Sequence, residues 1–251
     1  MLLKGSEFMS KVITVVSGKG GVGKSTFCAN VAVSLAKQKK KVLLIDGDAG
    51  LRSLDLLLFV DSMVVYDWLD IIENRCDSGK ARLFADDNIQ LLPAPLTYPD
   101  SLTKEAFSDM LQNFREEYDY IIIDSPAGTG KLPLLYAECS EQIIVVSTPD
   151  EVSARSACVM GNMLIKLGIK EDNLRLIINR FDEKAVRKGK LLNIDDMIDK
   201  TYIRLLGIVP EDHNLMYFSV TEKPAAEYSD TQNAFSNIAK RILGKEVQIL
   251  L

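Results

Sequence analysis

The chain alternates short runs of consecutive apolar residues with longer stretches in which apolar residues recur every three or four positions. The short runs predict strands at 12–16, 42–45, 89–92, 120–123, 143–147, 174–178 and 205–209. Most are apolar on successive positions rather than on alternate ones, as in strands covered on both faces. Between them, Cys28, Ala32, Leu35 and Ala36 recur at helical spacing, as do Phe107, Met110, Leu111 and Phe114, with Ser101 or Thr103 placed to cap the second helix. Phe235, Ile238, Ala239 and Ile242 predict a further helix near the end, docked on the core by its apolar face. Strand and helix in alternation imply an α/β fold: a mostly parallel sheet flanked by helices on both faces. Ligands in such folds bind beyond the carboxyl ends of the strands.

Length and composition add limits. No Pro/Gly/Ser-rich linker divides the 251 residues, so one domain over 9–251 is expected. The opening MLLKGSEF, residues 1–8, reads as a vector-derived leader ahead of a natural start at Met9. Cys28, Cys76, Cys139 and Cys158 form no C-x-x-C pair, and His213 is the lone histidine, so a zinc or cluster site within one subunit has little support. Reduced thiols in a cytoplasmic protein are the expectation. A net charge of −5 argues against a surface built for nucleic acid. The basic runs at 37–41 and 184–190 read as solvated faces or helix ends, with non-specific DNA contact as the sharper alternative. No apolar run is long enough to span a bilayer.

The chemistry begins after the first strand, with Gly18, Lys19, Gly20, Gly21, Val22, Gly23, Lys24, Ser25 and Thr26. This satisfies G-x-x-x-x-G-K-[ST] between a strand and a helix, the pattern of a P-loop NTPase. Glycines let backbone N–H groups curl around phosphate oxygens, and the following helix presents its N-terminus to the same anion. Lys24 is placed to neutralise the β- and γ-phosphates, Ser25 to ligate Mg²⁺ and Thr26 to reach the α-phosphate. Asp46 and Asp124 end buried strands, where a carboxylate is costly unless a cation or donor meets it. Mg²⁺ with its water shell would do so. Asp48, further along its loop, is placed to orient the water that attacks the γ-phosphate. Asn179, at another strand end, offers a donor and an acceptor to an adenine edge, with Arg180 beside it.

The string KGGVGKST, with both lysines, resembles the deviant Walker A motif of the MinD/ParA family of ATPases. The resemblance covers essentially residues 11–245 and implies Mg²⁺-dependent ATP hydrolysis. It further implies that Lys19 reaches the partner's phosphates across an ATP-dependent homodimer, in the manner of an arginine finger. Gly50-Leu51-Arg52-Ser53-Leu54-Asp55 and Ser125-Pro126-Ala127-Gly128 are similar to the two switch segments of the MinD branch. The segment 206–212, LGIVPED, is similar to the branch's base-pocket lining, which assigns Pro210 and Glu211 to the nucleotide. There are departures. Ser53 stands where the branch has Asn, and Arg155-Ser156-Ala157-Cys158 lacks the acids of the helix that binds regulators. A regulatory protein partner is therefore implied without its identity. The tail after Ile242 lacks the branch's basic, aromatic lipid-binding helix, so a peripheral place at the inner face of the cell membrane requires a tail not present here. Spatial positioning of the cell-division type is the function this implies. A ParA-like DNA-partitioning ATPase or an FlhG-like organelle-positioning ATPase are the alternatives.

Overall fold

The computed structural model describes residues 9–98, 102–212 and 230–249. The leader at 1–8, Ser101 as a cap and His213 lie outside them. The elements, in order, are β1 (Lys11–Val16), α1 (Lys24–Lys37), β2 (Val42–Asp46), α2 (Ser53–Leu57), α3 (Trp68–Ile72), β3 (Leu83–Asp86), β4 (Ile89–Leu92), α4 (Lys104–Gln112), β5 (Tyr120–Asp124), α5 (Lys131–Glu138), β6 (Gln142–Ser147), α6 (Glu151–Lys166), β7 (Leu174–Phe181), α7 (Glu183–Arg187), α8 (Ile194–Thr201), β8 (Leu205–Pro210) and α9 (Asp230–Ile242). They build an eight-stranded sheet in the order β3-β4-β2-β5-β1-β6-β7-β8.

Every strand expected from the apolar runs forms. The additional one is β3, antiparallel to β4 across a two-residue turn. Only Leu83 of its four residues is buried and Phe84 faces solvent, which is how an edge strand reads and why no apolar run announced it. The remaining pairs are parallel.

Side chains alternate faces along each strand. Ile13, Val15, Val42, Leu44 and Ile122 pack on one face with Phe27, Val31 and Leu35 of α1 and with Phe235, Ile238 and Ile242 of α9. Val12, Leu43, Ile45, Ile121 and Ile123 pack on the other with Trp68, Phe107, Phe114 and Tyr136. A third cluster joins Val16, Ile143 and Val145 to Ala157, Met160 and Leu164 of α6. The last helix is thus docked on the core, and the rings of Phe27 and Phe235 meet at 6.0 Å. The hydroxyl of Thr103 caps α4, accepting the Ala106 N–H at 3.2 Å. The basic run after α1 ends the helix as expected, with Lys40 paired to Asp119 at 2.9 Å. Among the described residues, no helix is long and apolar enough to cross a membrane.

Candidate functional site

Sheet register assembles the site. Asp46 and Asp124 are direct partners at the carboxyl ends of β2 and β5, and Asp124 also sits beside Val15 of β1. The loop that follows β1 therefore emerges next to Asp124, with Asp46 one strand further. Ser125 N–H donates to the Val15 carbonyl at 3.1 Å and Gly128 N–H to the Ser17 carbonyl at 2.9 Å, which binds the second switch segment to the root of the loop.

The glycines of the loop have distinct reasons. Gly21 and Gly23 adopt φ of 77° and 91°, a left-handed conformation that favours glycine. Gly18 has an ordinary φ, but a Cβ there would lie 2.3 Å from the carbonyl oxygen of Ser156 in α6. Its small size lets the loop root press on that helix's backbone. Gly18→Ala is expected to cost about 2 kcal/mol or more by overpacking, read as a fall in Tm of about 5 °C in thermal unfolding. An unchanged Tm would show that α6 yields freely at this point.

Lys24, 8% exposed, opens α1 behind Gly23. Asp46 is buried, yet both its oxygens accept backbone N–H groups: Asp48 on Oδ1 at 3.0 Å and Leu54 on Oδ2 at 3.0 Å. Burial raises its pKa to about 6 against those two bonds, with Asp48 and Asp55 adding to the rise. Asp124 is more extreme. Neither carboxylate oxygen accepts a hydrogen bond of good geometry, although the Ser25 hydroxyl and the Cys28 thiol lie beside them. The pKa of Asp124 rises to about 7 through burial, with Lys24 opposing, Asp46 reinforcing and Ser25 moderating the shift. Asp48 is half-buried, raised by burial and lowered by Lys24.

This donor set fits Mg²⁺. Hard oxygen groups converge beside the phosphate loop, and the orphaned Asp124 carboxylate is the kind of buried charge that a cation would neutralise. Among the described residues, no three acidic, His or Cys side chains cluster to hold a metal by themselves. Mg²⁺ asks for no such cage, because it keeps waters and shares phosphate oxygens.

Lys19 lies apart from the carboxylates. Its ammonium is 3.5 Å from Ser153 Oγ and 3.8 Å from Asp150 Oδ1, at the first turn of α6, and its side chain is 46% exposed. Asp150 caps α6 by accepting Ser153 N–H at 3.0 Å. Burial works against its charge, but bonds from Thr148 and Ser153, with Lys19 nearby, hold its carboxyl below the ordinary value.

Asn179 is buried beneath the loop, and its Nδ2 donates to the Val22 carbonyl at 2.7 Å. It braces the loop, so only part of its amide is left for a base. Arg180 follows with φ of 56°, where the β7–β8 register shifts. That turn puts Arg180 and Glu211 on the outer lip of the loop, along a groove with Lys19, Gly20, Gly21 and Val22. Pro210 and Glu211 also line a cleft of about 840 Å³ with Phe181, Lys184 and Asn233. Sequence reasoning missed the residues that hold the first switch: Trp68, whose Nε1 donates to the Asp46 carbonyl at 2.9 Å, and Tyr98, whose hydroxyl bonds Gly47 and Ala49. Their signal was faint, two aromatic residues in irregular or short segments.

Comparison with known proteins bears on the whole chain. The family model ParA, described as the NUBPL iron-transfer P-loop NTPase, matches residues 8–243. Cys28 and Cys139 here are buried, and burial pushes both thiols up. The septum site-determining protein MinD of Bacillus subtilis is 35% identical over 252 residues, covering 96% of this chain and 92% of the relative. Among solved structures, the MinC:MinD cell division complex of Aquifex aeolicus superposes with a TM-score of 0.87 at 33% identity, covering 96% of this chain and 99% of the other. MinD of Pyrococcus horikoshii, complexed with Mg-ADP, gives 0.79 at 26%, covering 93% and 96%. Phosphate loop, strand-end carboxylates and these likenesses along nearly the full length agree, and the chain belongs to the MinD/ParA family of P-loop ATPases, as a member of the septum-site-determining MinD type.

Proposed function

We propose that the chain is an ATP-driven dimerisation switch, in which two subunits close face to face over ATP and part after hydrolysis. The observation that carries this is the position of Lys19. Its ammonium engages the first turn of α6 at the rim of the loop, away from the carboxylates of its own cradle and half-exposed. A cation so placed suits a phosphate presented from outside the subunit better than one bound within it.

In this reading Lys24 neutralises the β- and γ-phosphates from within, and the N–H groups around Gly20–Gly23 hold the phosphate oxygens. Ser25, Asp46 and Asp124 would hold Mg²⁺, which supplies charge neutralisation on the phosphate oxygens when bound. Asp48 orients the attacking water. The remaining N–H and Oδ1 of Asn179, with Arg180, Pro210 and Glu211, meet adenine, making ATP the nucleotide. The Aquifex aeolicus MinD is found with MinC, and a regulatory protein partner is extended to this chain on that ground. A place at the membrane would depend on a lipid-binding segment beyond α9.

Asp48→Ala tests the switch. It should bind ATP and Mg²⁺, hydrolyse at about a hundredth of the wild-type rate or less, and elute as a dimer in size-exclusion chromatography with ATP and Mg²⁺. A variant that stays monomeric under those conditions overturns the switch.

A further inference from the structure

The loop carrying Asp48 is held from both sides by one side chain from outside it. Tyr98 lies in the segment after β4, and its hydroxyl oxygen accepts the Ala49 N–H at 2.6 Å while its O–H donates to the Gly47 carbonyl. These two bonds bracket Asp48. Three further backbone groups nearby are also engaged. Gly47 N–H donates to the Asp124 carbonyl at 2.8 Å, Asp48 N–H to Asp46 Oδ1 at 3.0 Å, and Arg52 N–H to the Asp48 carbonyl at 3.2 Å. Among the described residues, the Tyr98 hydroxyl is the one group that contributes two bonds at once to residues 47–49.

The ring behind that hydroxyl is itself fixed. Trp68 lies 5.8 Å from Tyr98, centroid to centroid, and bonds the Asp46 carbonyl through its indole N–H. Phe107 meets Trp68 edge-on at 5.4 Å, and Tyr136 follows at 4.7 Å, with its own hydroxyl 3.4 Å from the Gly47 carbonyl. Tyr98 also faces Pro126 and Ala127 of the second switch across a small cavity of about 320 Å³. The side chain therefore stands between the two segments that carry the strand-end carboxylates.

We infer that Tyr98 is a positioning residue for ATP hydrolysis, setting the place of Asp48 through its paired bonds to Gly47 and Ala49. The inference rests on the proposed role of Asp48. A group that orients water acts only within a narrow range of distance and direction, and a loop aspartate has no such precision unless its backbone is fixed. Burial raises the Tyr98 phenol to about 12, so its proton, and with it the bond to Gly47, is retained across the working pH range.

Tyr98→Phe keeps the ring and removes the hydroxyl. Basal ATP turnover, measured by phosphate release with ATP and Mg²⁺, should fall about tenfold in kcat with KM for ATP unchanged. Hydrogen exchange should quicken at residues 47–49 while the Tm falls by only about 5 °C and the sheet amides keep their rank of protection, which separates a local release from general loosening. In an Asp48→Asn background the same substitution should have no further effect, because a residue that acts through Asp48 has nothing left to place. Wild-type kcat in Tyr98→Phe overturns the inference alone, provided that Asp48→Asn is slow. An equal loss in both backgrounds also overturns it, since Tyr98 would then act independently. Wild-type turnover in Asp48→Asn overturns the parent reading of Asp48 and this inference with it.

Discussion

Lys19→Ala should still bind ATP, but its turnover should fall by about a thousandfold and it should no longer form an ATP-dependent dimer. Within one subunit the Lys19 ammonium has contacts at 3.5 and 3.8 Å and is 46% exposed. An ion pair of that kind contributes little to stability, so the variant should unfold within about 1 kcal/mol of the parent. Leaving Asp150 costs the ammonium correspondingly little, as the proposed move to a second subunit requires. In the proposed dimer the gain would be large, since a cation supplied in trans to a transferring phosphoryl group is worth about 10³–10⁵ in rate. Asp150 keeps its bonds from Thr148 and Ser153 when Lys19 departs, so the cap of α6 survives the exchange. Nucleotide titration, phosphate release and size-exclusion chromatography together separate the three effects. Turnover at the parental rate would eliminate the trans role while leaving the phosphate loop itself in place.

What the sequence made legible follows from where the side chains are buried. Strands covered on both faces write themselves as apolar runs, and their carboxyl ends located Asp46, Asp124 and Asn179 without any tertiary information. The edge strand β3 escaped because it buries little, and its Phe84 points to water. The spacing of Lys19 and Lys24 is fixed by local loop geometry, which a short string can carry. The supports of the first switch are not local. Tyr98 lies 51 residues from Gly47 in the chain and Trp68 lies 22 from Asp46, and neither belongs to a periodic pattern. Only the fold brings these rings to the loop. Asn179 shows an intermediate case. Its strand-end position was legible, but its bond to the Val22 carbonyl 157 residues away was not, and that bond makes it a brace for the loop before it is a reader of a base.

Asp124→Asn should make the nucleotide-free protein more stable at pH 8 and at the same time cut Mg²⁺-dependent hydrolysis sharply. In the wild type the Asp124 carboxyl is raised from 3.8 to about 7 by burial, with Lys24 opposing and Asp46 reinforcing. The folded state thus holds this proton more tightly than the unfolded chain does. The contribution of this group to stability is full below about pH 4 and declines as the pH rises from there through about 7. Asp46, raised to about 6, adds a decline over the lower part of that window. The charge on Asp124 alone would remove up to about 4 kcal/mol by pH 8, or about 10 °C in Tm. Asparagine has no charge to desolvate, although its buried amide returns part of the gain. The apo Tm of the variant should therefore fall less steeply between pH 5 and pH 8 than that of the parent. Adding ATP and Mg²⁺ should reverse the order, because the parent's carboxylate then gains a cation as its partner, whereas the neutral amide of the variant offers that cation no charge. Hydrolysis should drop by about a hundredfold or more. If the two proteins show the same pH dependence without nucleotide, the orphaned carboxylate is not the source of the instability, and its conflict with burial is not what draws a cation to the site.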